Sequence, residues 1–145
     1  MGLEVIDSFS GDYRFLSNFW YVPQKVIYDG WSYDTTEHAF QAAKTLSIIE
    51  RTQIKDARSP GIAKRLGKLA TMRSDWESIK VSVMADLLKQ KFKKGTDLAE
   101  LLDLTGNAQL IEGNTWNDCF WGVCRGKGQN VLGRLLMKVR EENRK

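Results

Sequence analysis

Cysteine, proline and histidine are scarce in this 145-residue chain, which holds two, two and one of them. Cys119 and Cys124 lie far along the chain from the single histidine, His38, and together they fall short of the four ligands of a structural zinc site. In a reducing compartment such a pair is expected as two partly buried thiols rather than a disulfide. No apolar run approaches the roughly 20 residues that a membrane span requires. Residues 1–5 lack the basic stretch and apolar run of a secretion signal. The expectation is a cytoplasmic protein that does not engage a membrane. Prolines occur only at Pro23 and Pro60, no Pro/Gly/Ser-rich linker interrupts the chain, and no repeat is visible, so residues 1–145 read as a single domain. Nothing in the sequence indicates an oligomeric state.

What is present is ordinary globular material, 42% hydrophobic and 28% charged, enough for one well-buried core. The formal charge of +4 comes partly from residues 89–94 and partly from the tail, 140–145. Runs of this kind are usually solvated faces, and an anionic ligand or nucleic acid is the less common explanation. Residues 26–33 predict a β-hairpin turning at Asp29-Gly30, and residues 5–9 a further strand. Helical signals dominate elsewhere. Asp34 with Glu37 is spaced as a capping box for a helix reaching about Ile48. Ser59-Pro60 opens a helix towards Ala70. Ser74 with Glu77 precedes a periodic run of Trp76, Ile79, Val83, Leu87 and Phe92. Thr96 caps a short helix through Leu101 and Leu102, and a last helix covers about residues 130–142, turning Val131, Leu132, Leu135, Leu136 and Val139 inward. The predicted fold is mainly α, a single-domain orthogonal helical bundle with a small hairpin near the N-terminus. The irregular stretch 105–129 is long for a compact domain, as functional loops often are.

Three strings hold groups with chemical use. At about 100° per residue, Glu37, Gln41 and Lys44 share one sector of the first helix, with Ala39, Phe40, Ala43 and Leu46 opposite them. Such stripes commonly face solvent, and Glu37 at that spacing serves equally well as a reciprocal cap. Trp76 reads as core by periodicity and as a stacking face for a heterocycle by chemistry; Lys80 and Arg73 beside it suit phosphate or solvation alike. In residues 117–122, Asp118 lies among bulky aromatics, where burial raises a carboxyl pKa, or it is simply a turn aspartate. Gly126-Lys127-Gly128 brings backbone N–H groups towards the last helix but lacks the P-loop pattern.

In order, these strings resemble the NADAR family. The matching residues are Leu16-Ser17-Asn18-Phe19, Thr36-Glu37-His38, Phe40-Gln41-Ala42, Lys44, Ser59-Pro60, Ala63 and Gly67. They continue with Trp76-Glu77-Ser78, Lys80, Met84, Lys91-Phe92, Leu110, Glu112, Asn117-Asp118 and Trp121-Gly122. The last are Gly126-Lys127-Gly128, Asn130, Leu132-Gly133 and Leu135-Leu136-Met137. The resemblance implies an N-glycosidase that cleaves the bond between a ribose anomeric carbon and an exocyclic nitrogen. Some members act on ribosylamino-pyrimidine phosphates of early riboflavin synthesis, and others remove ADP-ribose from guanine in nucleic acid. It further implies that Glu37, Trp76, Asp118 and Trp121 are functional, with Asn18, Lys44 and Lys80 as further carry-overs. Lys44 is the candidate for a Schiff-base lysine. No metal or redox cofactor is implied. The expected partner is a phosphoribosyl or ADP-ribosyl small molecule, with nucleic acid only as a modified substrate.

The chemistry is consistent with those residues. Loss of a nitrogen base leaves positive charge on ribose, which a carboxylate stabilises in the transition state, while the leaving nitrogen needs a proton. The expected division gives Glu37 the role of general base or cation stabiliser and Asp118 that of acid. Trp76 and Trp121 would hold the base, with Asn18 nearby, and Lys44, Lys80, Arg73 or Lys127 would meet phosphate. A carboxylate in the first helical turn is favoured in its ionised form, so Glu37 is expected charged at neutral pH. The competing readings are an ADP-ribosyl-guanine hydrolase, a non-catalytic nucleotide or nucleic-acid-binding module, and a plain interaction domain.

Overall fold

The computed structural model describes residues 4–145; residues 1–3, on which part of the secretion-signal reading falls, lie outside the described residues. In chain order the elements are β1 (Val5–Ile6), a 3-10 helix (Gly11–Leu16), β2 (Tyr21–Tyr28), β3 (Trp31–Thr35), α1 (Thr36–Ala43), α2 (Ile48–Lys55) and α3 (Pro60–Leu69). They continue with α4 (Trp76–Lys91), α5 (Asp97–Leu104), β4 (Gln109–Leu110), β5 (Gly113–Asn114), β6 (Val123–Cys124) and α6 (Val131–Asn143). The chain is 49% helical and 15% strand, with three two-stranded sheets among the described residues. It is therefore a mixed α/β protein, and the expectation of a mainly helical orthogonal bundle is corrected. Strand β1 falls within the strand expected over residues 5–9, whereas β4, β5 and β6 were not expected; each is two residues long, and the pairs β1–β4 and β5–β6 are parallel. Two residues carry no alternation to read, and a parallel partner leaves no local turn signal. No helix among the described residues is long and apolar enough to cross a membrane.

The chain falls into two compact units, Asn18–Lys91 and the remainder, which is the stretch ending at Ser17 together with Phe92–Lys145. In the first, β2 and β3 form the expected hairpin, with Val26 opposite Tyr33 and Tyr28 opposite Trp31. Asp29 (φ 51°) and Gly30 (φ 82°) make its two-residue turn. Strand β3 runs straight into α1, and this moves the cap. Thr35, paired with Tyr21, ends the strand and accepts the His38 N–H at 3.0 Å, while Asp34 pairs with Lys25 instead. Helix α1 ends at Ala43, earlier than expected, because Thr45 and Ser47 start another helix. Thr45 Oγ1 donates to Glu50 Oε1 at 2.5 Å, and Ser47 Oγ accepts the Glu50 N–H at 3.2 Å. Leu46, expected in the core, is 65% exposed in that connection. Helix α3 follows its signals, with Ser59 accepting from Ile62 and Pro60 at its first position. At the start of α4, Glu77 pairs forward with Lys80 at 2.8 Å rather than back to Ser74. Trp76, Val83 and Leu87 are buried as the periodicity requires.

The other unit carries α5, capped by Thr96 as expected, and α6. Gly133 of α6 lies against the Leu110 carbonyl of β4, where a Cβ would overlap that oxygen. Arg140 of α6 is buried and donates to Thr105 Oγ1 (2.8 Å) and Ala108 O (2.9 Å), tying the end of α5 to the same helix. Cys124 is buried as expected, but Cys119 is exposed.

Lys91 ends α4 fully buried, and burial pushes its ammonium from the ordinary 10.5 down to about 7. Between those values the unfolded chain holds a proton that the folded chain has released, so stability should rise with pH across that window and level off below it. Lys91→Met is expected to flatten this rise. The check is the urea midpoint of both proteins at pH 7 and pH 9; equal slopes would refute it.

Candidate active site

Helix α1 is buried on every side, from Thr36 to Ala43, including the polar stripe that its spacing predicts. Glu37 is 7% exposed and Gln41 4%. Because Thr35 rather than Asp34 is the cap, Glu37 is the second helical residue and His38 takes the third, the position a capping box requires. Glu37 is thereby relieved of the capping role. His38 Nε2 lies 3.0 Å from the Ala57 carbonyl, which can only accept, so that nitrogen carries the proton and Nδ1 accepts from the Thr35 hydroxyl at 2.7 Å. The histidine is thus committed to holding the start of α1.

The Glu37 carboxylate is held within its own helix. Gln41 Nε2 donates to Glu37 Oε2 at 2.5 Å, one turn away, and the Glu37 backbone N–H donates to Asn18 O at 3.1 Å. Gln41 reaches this position because α3 presents Gly67 against it; a Cβ there would overlap Gln41 Oε1. Asn18 is half-buried, with Nδ2 directed at Met84 Sδ (3.6 Å) and Oδ1 buried without a hydrogen-bond partner.

Lys44 closes the stripe at the C-terminal cap of α1. Its Nζ lies 6.0 Å from the centroid of the Phe40 ring, which packs at 5.0 Å against Trp76. Burial, above all, pushes the Lys44 ammonium below the ordinary lysine value; Glu37 opposes this, while Lys64, Lys68 and Lys80 add to it. Partial burial beside other cations favours the neutral, nucleophilic form of the amine over what a fully solvated lysine shows. Arg73 is spoken for: its guanidinium pairs with Asp75 (2.6 Å) and reaches Tyr28 Oη (3.2 Å), and its backbone N–H donates to Lys44 O at 2.7 Å. It anchors the end of α1. Trp76 is 3% exposed, and Lys80 is paired with Glu77.

One unit therefore brings together Asn18, Glu37, Lys44, Arg73, Trp76 and Lys80. Asp118, Trp121 and Lys127 belong to the other. There Asp118 Oδ1 accepts the backbone N–H groups of Phe120 (3.2 Å) and Trp121 (2.9 Å), and Asn114 brackets it on both sides of the peptide. Phe120 and Trp121 meet edge-on at 4.9 Å. Lys127 is exposed in a tight turn bonded to Cys124 in both directions, with Arg125 and Gly126 at positive φ. Sequence reasoning passed over Gln41 as the group that holds Glu37, named Gly67 only among the residues of the family resemblance, and passed over Lys64 and Lys68 altogether. The only signals for these were a glycine inside a helix and the four-residue spacing of two lysines.

A family model described as the NADAR domain matches residues 7–144. The chain belongs to the NADAR family. N-glycosidase YbiA of Escherichia coli (strain K12) is 44% identical over 138 residues, 93% of this chain and 84% of that protein. A riboflavin biosynthesis protein of Vibrio vulnificus (strain YJ016) is 36% identical over 134 residues, 90% of this chain but 36% of that protein. The NMR structure of E. coli YbiA matches with a TM-score of 0.82 at 40% identity, over 98% of this chain and 86% of that one. Membership in the NADAR family thus rests on nearly the full length of the chain.

Two outcomes follow from this geometry. Gly67→Ala should cost about 1–3 kcal/mol through overpacking against Gln41, read as a lowered denaturation midpoint; an unchanged midpoint would contradict the contact. The Lys44 side chain should titrate below 10.5, and Glu37→Gln should move it lower still, because the opposing charge is gone. Carbon NMR of its Cε signal gives both values.

Proposed function

We propose that this chain, a hydrolase acting on N-glycosyl bonds, cleaves ribosylamino-pyrimidine phosphates of the kind formed early in riboflavin synthesis. The bond between ribose C1 and the exocyclic nitrogen breaks, water supplies the hydroxyl at C1 and the proton on the nitrogen, and ribose 5-phosphate and the free pyrimidine leave. The observation that carries this reading is the buried Glu37 carboxylate, fixed by Gln41 on a helix that ends in the desolvated Lys44. A fixed carboxylate costs no reorganisation when positive charge develops on the sugar, and low surrounding polarity strengthens its effect. Lys44 is the amine of choice if the anomeric carbon is captured covalently before water takes it. The name of the Vibrio relative supports the substrate class, and the name of the E. coli relative the bond type.

Glu37→Gln keeps the side-chain size and removes the charge. It should lower release of ribose 5-phosphate and free base by about 10²–10⁴-fold, with an unchanged denaturation profile. A wild-type rate in the variant would remove Glu37 from the chemistry. An ADP-ribosylated guanine oligonucleotide assayed in parallel decides the substrate: faster release from it than from the pyrimidine phosphate would reassign the enzyme.

A further inference from the structure

The lysines that surround Lys44 come from two other helices. Gly67 fixes the approach of α3 to the Glu37–Gln41–Lys44 stripe, because the Gln41 side chain lies against its α-carbon. Lys64 stands three residues before Gly67 and Lys68 one after it, and the two lysines, four apart, share one face of α3. Lys64 is half-buried and Lys68 exposed. Lys80 projects from the second turn of α4, one turn after Trp76, whose ring backs Phe40 beneath the Lys44 ammonium. All three lysines act electrostatically on Lys44.

We propose that Lys64 and Lys68 of α3, together with Lys80 of α4, form the seat for the phosphate group of the substrate. The inference rests on the N-glycosidase reading above and adds to it which part of the substrate α3 recognises. Lys64, Lys68 and Lys80 concentrate positive charge around the end of the stripe at Lys44, which suits a phosphate monoester carrying about −1.5 to −2 at neutral pH. A sugar alone offers nothing that a concentration of cations on three helices would recognise. Of the other cations considered for this task, Arg73 anchors the end of α1 and reaches Tyr28, and Lys127 belongs to the other unit. A phosphate seated by α3 also leaves Lys44 for the anomeric carbon, so that binding and bond cleavage fall to different lysines.

The test measures binding of ribose 5-phosphate, inorganic phosphate and ribose by calorimetry to the whole chain. The proteins are wild type, Lys68→Gln, Lys64→Gln/Lys68→Gln, and Lys89→Gln as an exposed α4 lysine outside the stripe. Ribose 5-phosphate should bind wild type better than ribose does, and Lys68→Gln should weaken it about ten-fold, as loss of a charge-assisted contact does. The double variant should weaken it further, and Lys89→Gln should leave it within two-fold, about the noise of such titrations. Equal affinity of ribose 5-phosphate for wild type and the double variant overturns the seat, as does equal weakening by Lys89→Gln, which would mean a diffuse field. If the double variant does not fold, Lys68→Gln decides alone, since that side chain is exposed. Hydrolysis is read separately. Lysine-dependent binding without base release by wild type keeps the seat and removes the hydrolase reading, whereas base release with lysine-independent binding does the reverse.

Discussion

A carboxylate withdrawn from water needs a partner that will not drift, and here that partner is the amide of Gln41. The pair lies one helical turn apart on α1, the helix buried on all its sides, so neither group can swing out to solvent without unpacking its neighbours. Everything around α1 preserves this. Thr35 and His38 fix its start, Arg73 holds its last carbonyls, and Gly67 clears room for the amide. An unpaired charge at this depth would cost several kcal/mol; a paired one becomes a preset electrostatic tool.

The same economy joins hairpin and helix. Arg51 of α2, nearly buried, donates from Nε to Thr45 O just beyond Lys44 and from its guanidinium to Asp29 in the hairpin turn, both at 2.7 Å, and lies over the Tyr28 ring at 5.4 Å. The hairpin is therefore cross-linked to the residue that follows the candidate nucleophile. Lys44 is braced on one side through Arg51 and on the other through the Arg73 backbone.

Local chemistry was legible in the residues. Asp29-Gly30 can make little but a tight turn, and Ser59-Pro60 and Thr96 each begin a helix where their side chains reach a backbone N–H. What failed depended on distant partners. Thr35 caps α1 because Tyr21 has already drawn it into a strand, so Asp34, the better capping residue by propensity, is taken by Lys25. Helix α2 begins where Thr45 and Glu50 find each other, a contact that interrupts an otherwise continuous helical pattern. Residues 5–9 read as a strand, but their parallel partner β4 and the pair β5–β6 leave no trace in their own two-residue segments. At the site, periodicity put Glu37, Gln41 and Lys44 on one stripe, but polarity suggested solvent. Burial was hidden because it depends on α3, whose glycine alone signals a close approach.

Gly67 contributes through the atom it lacks. The recess left by its missing side chain is occupied by the side chain of Gln41, whose Oε1, Cδ and Cβ are the atoms a Cβ at position 67 would meet. Positions 41 and 67 therefore behave as a single inherited unit. A larger residue at 67 becomes tolerable only alongside a shorter one at 41, and that exchange would strip Glu37 of its amide. Drift along this lineage is expected to leave both positions alone or to change them together, with the hydrogen bond to Glu37 as the casualty.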